Sequence, residues 1–179
     1  MKSLSFLLIA GVFLITGTEA VAQNKYIGAK MCGMCHRTDK QGKQLDIWKA
    51  SKHAKTFDVL SSPKAVEIAK AKGIANAAEA KECLECHVTV SDAKLMDKSF
   101  DMKEGIQCEA CHGAGSAYKT ITLMKDHAKA VAAGMSDFSV KGAAEKRCKT
   151  CHNEKSPTFK GFEFDKMWAK IEHKVPKAG

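Results

Sequence analysis

The sequence has few of the side chains from which a globular core is normally built. Of the 157 residues that follow position 22, only 25, or about 16%, are leucine, isoleucine, valine or phenylalanine. The whole chain has 2 tryptophan, 2 tyrosine and 3 proline residues. A charged chain with less than about 20% of these large apolar residues is typically disordered, because burial cannot offset its conformational entropy. Either the chain is disordered, or something other than side chains forms its core.

The sequence also lacks an apolar run long enough to cross a membrane. Its longest run, residues 4–15, has 12 residues, whereas a spanning helix needs about 20. The run follows Lys2 and precedes Ala20-Val21-Ala22, a pattern of small residues at which signal peptidase cleaves. Residues 1–22 are therefore predicted to be a cleaved signal peptide, and residues 23–179 a single periplasmic domain without a transmembrane segment.

All eight cysteines lie in C-x-x-C-H motifs, the attachment signature of c-type haem. The motifs are CGMCH (32–36), CLECH (83–87), CEACH (108–112) and CKTCH (148–152). In each motif the two sulfurs bind the porphyrin vinyl groups and the histidine binds the iron. The predicted attachment residues are Cys32, Cys35, Cys83, Cys86, Cys108, Cys111, Cys148 and Cys151, with His36, His87, His112 and His152 as proximal ligands. The sequence thus predicts four covalently bound haem c groups, each with its iron.

Two other cysteine chemistries explain the motifs less well. A disulfide framework suits a secreted chain but gives no reason for a histidine after every second cysteine. Zinc sites also use C-x-x-C pairs, yet tetrahedral zinc rarely needs the adjacent histidine. Histidine makes up only 7 of 179 residues, so four coincidences have a probability on the order of 10⁻⁶.

Four porphyrins would supply the missing apolar core, and they predict a mainly α fold of short helices and loops wrapped around haem, with little or no sheet. Helical patterns cover residues 46–60, 75–82, 116–133 and 165–174. A further helix is predicted to begin at Ser62-Pro63 and to end at Gly73. Gly113 and Gly115 indicate either an ordinary loop or a close approach of the backbone to a porphyrin face.

The formal charge of +9 is not a nucleic-acid signal once haem is included. A ferric haem with two ionised propionates carries roughly −1 and a ferrous haem roughly −2. Four haems lower the net charge to about +5 when oxidised and about +1 when reduced. We expect a redox protein as donor and another as acceptor, either other cytochromes or an oxidoreductase, and a monomer or weak oligomer.

Three histidines lie outside the motifs and are candidate distal ligands: His53, His127 and His173. If all three bind iron, one of the four irons lacks a histidine as sixth ligand. That iron is either five-coordinate and open to small molecules, or bound by a methionine, which would raise its potential. The methionine candidates are Met31, Met34, Met96, Met102, Met124, Met135 and Met167.

The order of these elements resembles the tetrahaem cytochrome c-554 family of ammonia-oxidising bacteria. The resemblance rests on Tyr26-Ile27-Gly28 before the first motif and on a W-x-x-S-x-H element at residues 48–53. It continues through Gly105-Ile106-Gln107, which leads into CEACHGAGS, and through the Phe164-Asp165-Lys166-Met167 helix.

The resemblance implies three bis-histidine haems and one five-coordinate, high-spin haem. Carried over, His53 would bind the third-motif iron, His127 the first and His173 the fourth, which leaves the second iron, on His87, open. Members of the family carry electrons in the periplasm from hydroxylamine oxidoreductase to a membrane-associated cytochrome that reduces quinone, and their open haem has been connected with nitric oxide reduction.

Three functions are therefore compared. The first is a periplasmic electron carrier, and the alternative is a nitric oxide reductase that uses the open haem. A third is a subunit of an extracellular haem filament, which would need eight histidines to ligate every iron twice, whereas the chain has 7.

Overall fold

Short helices joined by loops form the protein, as the sequence predicts. The computed structural model describes residues 23–174 and 176, so the predicted signal peptide at 1–22 lies outside the described residues. The α-helices of this part are α1 (Ala29–Cys32), α2 (Gln44–Ala50), α3 (Pro63–Ala71), α4 (Lys81–His87), α5 (Cys108–His112), α6 (Ile121–Met124), α7 (His127–Ala132), α8 (Ala143–Cys148) and α9 (Phe164–Trp168). Five 3₁₀ helices lie between them, at Asp39–Gln41, His53–Lys55, Asp58–Ser61, Ala93–Leu95 and Met102–Glu104.

The mainly α fold class is confirmed. Within the described residues the β-type pairing is limited to one isolated parallel bridge, between Tyr26 and Met96. None of the helices described is both long enough and apolar enough to cross a bilayer.

Helix α3 follows the sequence prediction closely. The Ser62 hydroxyl accepts a hydrogen bond from the backbone N–H of Ala65 at 3.2 Å, and Pro63 occupies the first helical position. The helix ends at Ala71, and Gly73 then adopts a positive φ of 70°. Cap, proline and glycine act locally, so these signals did not depend on tertiary contacts.

The longer helix predicted at residues 46–60 is wrong. α2 stops at Ala50, because Ser51 has extended backbone angles (φ −78°, ψ 161°) and its hydroxyl donates to the Trp48 carbonyl at 2.7 Å. The helical register therefore breaks before His53, which begins a separate 3₁₀ turn. Because of this break, the direction of the His53 side chain is not fixed by the helical register of α2.

Three other predicted helices are also shorter in the structure. Residues 116–133 are divided into α6 and α7 at Asp126, whose carboxylate caps α7 by accepting from Lys129 N–H at 3.1 Å. Ser116 does not cap a helix, since its hydroxyl accepts from Lys25 N–H at 2.8 Å. Residues 75–80 lie before α4 rather than in a helix, and α9 ends at Trp168.

The apolar core supplied by the protein itself is small. In the described part of the chain nine hydrophobic residues are buried, and four of them are alanine: Ile27, Ala29, Leu60, Ala69, Ala77, Leu84, Val88, Tyr118 and Ala130. Leu60, Leu84 and Val88 belong to one cluster, which packs around α4 and the second motif. Several large apolar side chains are exposed, including Met34 and Ile121 at 67% and 69%. Side chains alone therefore do not provide a core for this chain.

Candidate haem-binding site

Glu109, between the two cysteines of the third motif, fixes the N-terminal segment against that motif. Its buried carboxylate accepts hydrogen bonds from the backbone N–H of Ile27 (2.9 Å), Gly28 (2.7 Å) and Gly115 (2.7 Å). Glu109 is only 1% exposed. The sequence analysis missed this role because Glu109 occupies a variable position of C-x-x-C-H.

Gln107, two residues before Glu109, also joins the N-terminal segment to the third motif. Its side-chain oxygen accepts from Ala29 N–H at 2.6 Å, and its amide nitrogen donates to the Asp101 carbonyl at 2.7 Å. Its backbone N–H donates to the Thr89 hydroxyl at 2.7 Å. Gln107 thus joins α1, the residues after the second motif and the start of the third.

Replacing Glu109 with glutamine should lower the free energy of unfolding by about 1–3 kcal/mol, because an amide NH₂ would then face a backbone N–H that needs an acceptor. Urea denaturation of the haem-loaded protein would measure this change. Glu154→Gln, at an exposed glutamate, is the matched control and should leave the midpoint unchanged. Equal midpoints for both variants would contradict the role of Glu109.

Two glycines after the third motif allow close approach of other parts of the protein. A Cβ on Gly113, whose φ is 83°, would lie 2.6 Å from the Gly134 carbonyl oxygen. A Cβ on Gly115 would lie 3.0 Å from the Glu109 carboxylate and 3.1 Å from the Ile27 side chain. Both glycines therefore serve the packing of the chain against itself, and their approach to a porphyrin face stays a prediction.

The W-x-x-S-x-H element places His53 beside the residues that lead into the third motif. The Trp48 indole N–H donates to the Ile106 carbonyl at 2.7 Å. The Ile106 N–H in turn donates to the His53 carbonyl at 3.0 Å. These two bonds hold α2 and the following 3₁₀ turn against residue 106.

Two pairs of histidine rings face each other across a short gap. The ring centres of His53 and His152 are 6.1 Å apart, with the planes at 59°. Those of His112 and His173 are 5.9 Å apart, with the planes at 53°. Two imidazoles that bind one iron from opposite sides, each at about 2 Å, have ring centres about 6 Å apart. Both pairs therefore fit a bis-histidine haem iron.

These contacts differ from the pairing implied by the family resemblance. That pairing placed His53 with His112 and His173 with His152. The structure places His53 beside the fourth-motif histidine and His173 beside the third-motif histidine. The break at Ser51 separates His53 from the helical register of α2.

Burial favours the neutral form that metal binding needs in two of these histidines, His53 and His112. Burial lowers the pKa of His53, and the neighbouring His152 lowers it further. Burial lowers the pKa of His112 to about 4, with His173 and His36 adding to the effect. A neutral imidazole keeps a free nitrogen lone pair for iron.

The four motifs contact one another in an order that differs from the sequence. Cys32 of the first motif and Cys108 of the third lie on the wall of one cavity, and interaction with Cys108, together with burial, raises the pKa of the Cys32 thiol. Burial and then Cys148 of the fourth motif raise the pKa of Cys111 in the third to about 11. Burial and then Cys151 of the fourth motif raise the pKa of Cys86 in the second to about 11. The spatial order is first, third, fourth, second.

A cavity of about 310 Å³ lies between the first and third motifs. Cys32 and Cys108 stand on its wall, together with the imidazoles of His36, His112 and His173. The remaining wall is largely apolar and includes Leu45, Ile47, Trp48, Ile106, Tyr118, Met124 and Met135. Thioether-forming cysteines, imidazoles and an apolar wall are the groups that a c-type haem requires.

The histidine of the second motif has a different environment. His87 Nδ1 lies 2.7 Å from the Thr56 carbonyl oxygen. Across residues 23–174, none of the close aromatic ring pairs includes His87. Met102 and Cys83 pack against the same apolar cluster beside this motif.

His127 is not brought beside a motif histidine. Its Nε2 lies 3.5 Å from the Asp137 carboxylate, and its side chain is 58% exposed. The Ser139 hydroxyl and backbone N–H hold the pKa of Asp137 below its usual range, with His127 as a smaller cause. The structure thus places His127 beside a surface carboxylate.

The structure also bears on the two other cysteine chemistries. All eight cysteines are free thiols. Among the described residues, no group of three or more histidine, cysteine, aspartate or glutamate side chains is arranged to hold a bare metal ion. The ring pairs, by contrast, offer two nitrogens per iron, which is the number a porphyrin leaves to the protein.

Similarity to known proteins extends over most of the chain. The family described as cytochrome c554 and c-prime matches residues 31–113, which contain the first three motifs. The chain is 29% identical over 175 residues to cytochrome c-554 of Nitrosomonas europaea, an alignment that covers 87% of this chain and 70% of that protein. The chain is therefore similar to the cytochrome c-554 family.

This similarity supports a c-type cytochrome with covalently bound haem and a role in electron transport. The matched residues 31–113 include the buried Gln107 and Glu109, which join the first and third motifs. The fourth motif, His127 and His173 lie beyond the match. No solved structure matches the chain.

Proposed function

We propose that the protein is a periplasmic tetrahaem cytochrome that carries electrons between redox proteins. Each motif would hold one haem through its two cysteines, with His36, His87, His112 and His152 as proximal ligands. The facing rings support His53 as the distal ligand of the fourth iron and His173 as that of the third. For the first iron we propose His127, on the family resemblance.

The observation that carries this proposal is the contact order of the motifs. Cys32 and Cys108 line one cavity, and the Cys151 thiol of the fourth motif lies 3.9 Å from the carbonyl oxygen of Glu85 in the second. Arg147, which immediately precedes the fourth motif, donates to the Ala110 carbonyl of the third, so the four attachment points follow one another in space. Haems bound in such a row pass electrons from one to the next, and the protein supplies their order and environment.

The second motif stands at one end of this row, and we propose an open iron there on the family resemblance. An open iron binds small gases, whereas bis-histidine irons serve electron transfer alone. The nitric oxide reductase alternative depends on this iron. Carbon monoxide added to the ferrous protein should change the absorbance of one haem in four, and no change would eliminate the alternative.

The partners proposed are a reducing and an oxidising redox protein. Many lysines are solvent-exposed, and the formal charge of +9 would steer association with acidic surfaces at low salt. We propose that the protein is a monomer or weak oligomer. A monomeric mass in sedimentation would rule out the filament alternative.

The haem count tests the proposal most directly. Protein made in a periplasm with c-type maturation should give four haems per chain in a pyridine haemochrome assay. Electron paramagnetic resonance of the oxidised protein should then show one high-spin and three low-spin irons. Three or fewer haems per chain would contradict the proposed function.

A further inference from the structure

Thr56 contacts the proximal histidine of the second motif through its backbone. The distance from His87 Nδ1 to the Thr56 carbonyl oxygen is 2.7 Å. Because a carbonyl only accepts hydrogen bonds, Nδ1 carries the ring proton, and Nε2 is left as the iron ligand. The Thr56 carbonyl therefore sets both the tautomer and the orientation of the His87 ring.

The Thr56 side chain joins the same residue to a second candidate ligand. Its hydroxyl oxygen lies 2.9 Å from the His53 carbonyl and 2.9 Å from the His87 carbonyl, and it accepts from Ile106 N–H at 3.0 Å. The single proton of the Thr56 hydroxyl is thus shared between the backbone carbonyls of His53 and His87, the two candidate iron ligands. The Thr56 N–H also donates to the His53 carbonyl, at 3.3 Å.

Gly105 shows how tightly this junction is packed. It has a φ of 71°, and a Cβ there would lie 2.5 Å from the Thr56 hydroxyl and 2.7 Å from the His53 carbonyl. The Thr89 hydroxyl donates to the Gly105 carbonyl at 3.1 Å. The three chain segments around Thr56 therefore have little freedom to shift independently.

We propose that Thr56 is a shared positioning residue for two haem irons, the second through His87 and the fourth through His53. The proposal rests on the proposed haem ligation, and it goes beyond that ligation by assigning a link between two sites. Hydrogen bonds to a ligating histidine fix its ring and raise its basicity, so they tune the metal. Through Thr56, a change in the position of one ligand acts on the other.

Thr56→Val keeps the shape of the side chain but removes its hydroxyl, and it is the test. In the haem-loaded protein we expect the high-spin signal of the second iron and the low-spin signal of the fourth to change their g values together, with a shift in both potentials. Thr56→Ser, which keeps the hydroxyl, should restore both signals. Thr120→Val, at an exposed threonine that makes no side-chain cap hydrogen bond, should leave all four haems unchanged.

The outcomes separate the two proposals. Four haems with unaltered spectra and potentials in Thr56→Val, or a change confined to one iron, would overturn the positioning role and leave the proposed function intact. An unsubstituted protein with fewer than four haems, or without a high-spin iron, would overturn both. If valine prevents maturation, the smaller Thr56→Ala gives the same readout.

Discussion

Without haem, the chain should lose about half or more of its helical circular dichroism and should unfold without a cooperative transition. The reason is the small core: nine buried hydrophobic residues in the part that the structure describes, four of which are alanine. Covalent porphyrins are apolar surfaces that the unfolded chain cannot bury in the same way, so their removal takes away most of the driving force for folding.

A variant with all eight cysteines replaced by serine would provide the haem-free chain in the same compartment. Circular dichroism and the dispersion of amide proton shifts would measure its structure, with the haem-loaded parent as reference. A well-dispersed spectrum and a sharp thermal transition in the haem-free chain would refute the dependence of the fold on haem.

His53→Ala should convert one low-spin iron to high spin and so raise the high-spin count from one to two. The His53 ring faces that of His152 at 6.1 Å, and alanine has no atom with which to bind the iron. Electron paramagnetic resonance of the oxidised protein would measure the count, and carbon monoxide would then bind two ferrous haems instead of one. Lys55→Ala, at an exposed residue of the same 3₁₀ turn, is the control. An unchanged spectrum of His53→Ala would show that His53 is not a ligand.

The identity of the affected iron can be decided with one further variant. Phe162 stacks on the ring of His152, with centres 4.6 Å apart and planes at 14°. Phe162→Leu should therefore alter the g values of the same low-spin signal that disappears in His53→Ala. If instead it alters a signal that His53→Ala leaves in place, the pairing of His53 with His112 would be favoured.

Local signals in the sequence were sufficient for the motifs and for α3, because a cysteine spacing or a Ser-Pro cap does not depend on distant residues. They failed where a residue has a tertiary partner. Serine often caps helices, but the Ser116 hydroxyl accepts a hydrogen bond from Lys25 N–H instead. Ser51 interrupts a pattern with helical periodicity by bonding the Trp48 carbonyl.

The candidate site was predictable in its components and not in its arrangement. The three spare histidines could be counted, but which ring faces which depends on how loops between short helices fold. Glu109 and Thr56 carry no motif signal, since their roles depend on bonds to groups 31 to 82 positions away. Such bonds are visible only when the chain is folded.

The contact between Cys32 and Cys108 has a consequence for biogenesis. Under the proposed periplasmic function, a chain exported N-terminus first would present CGMCH 76 positions before CEACH, its neighbour in space. Until CEACH had crossed the membrane, the two sulfurs of CGMCH would stay accessible to the haem-attachment enzyme, because the segment that packs against them would still be missing. The separation along the polypeptide would thus keep the first cysteine pair available for ligation before the domain closes.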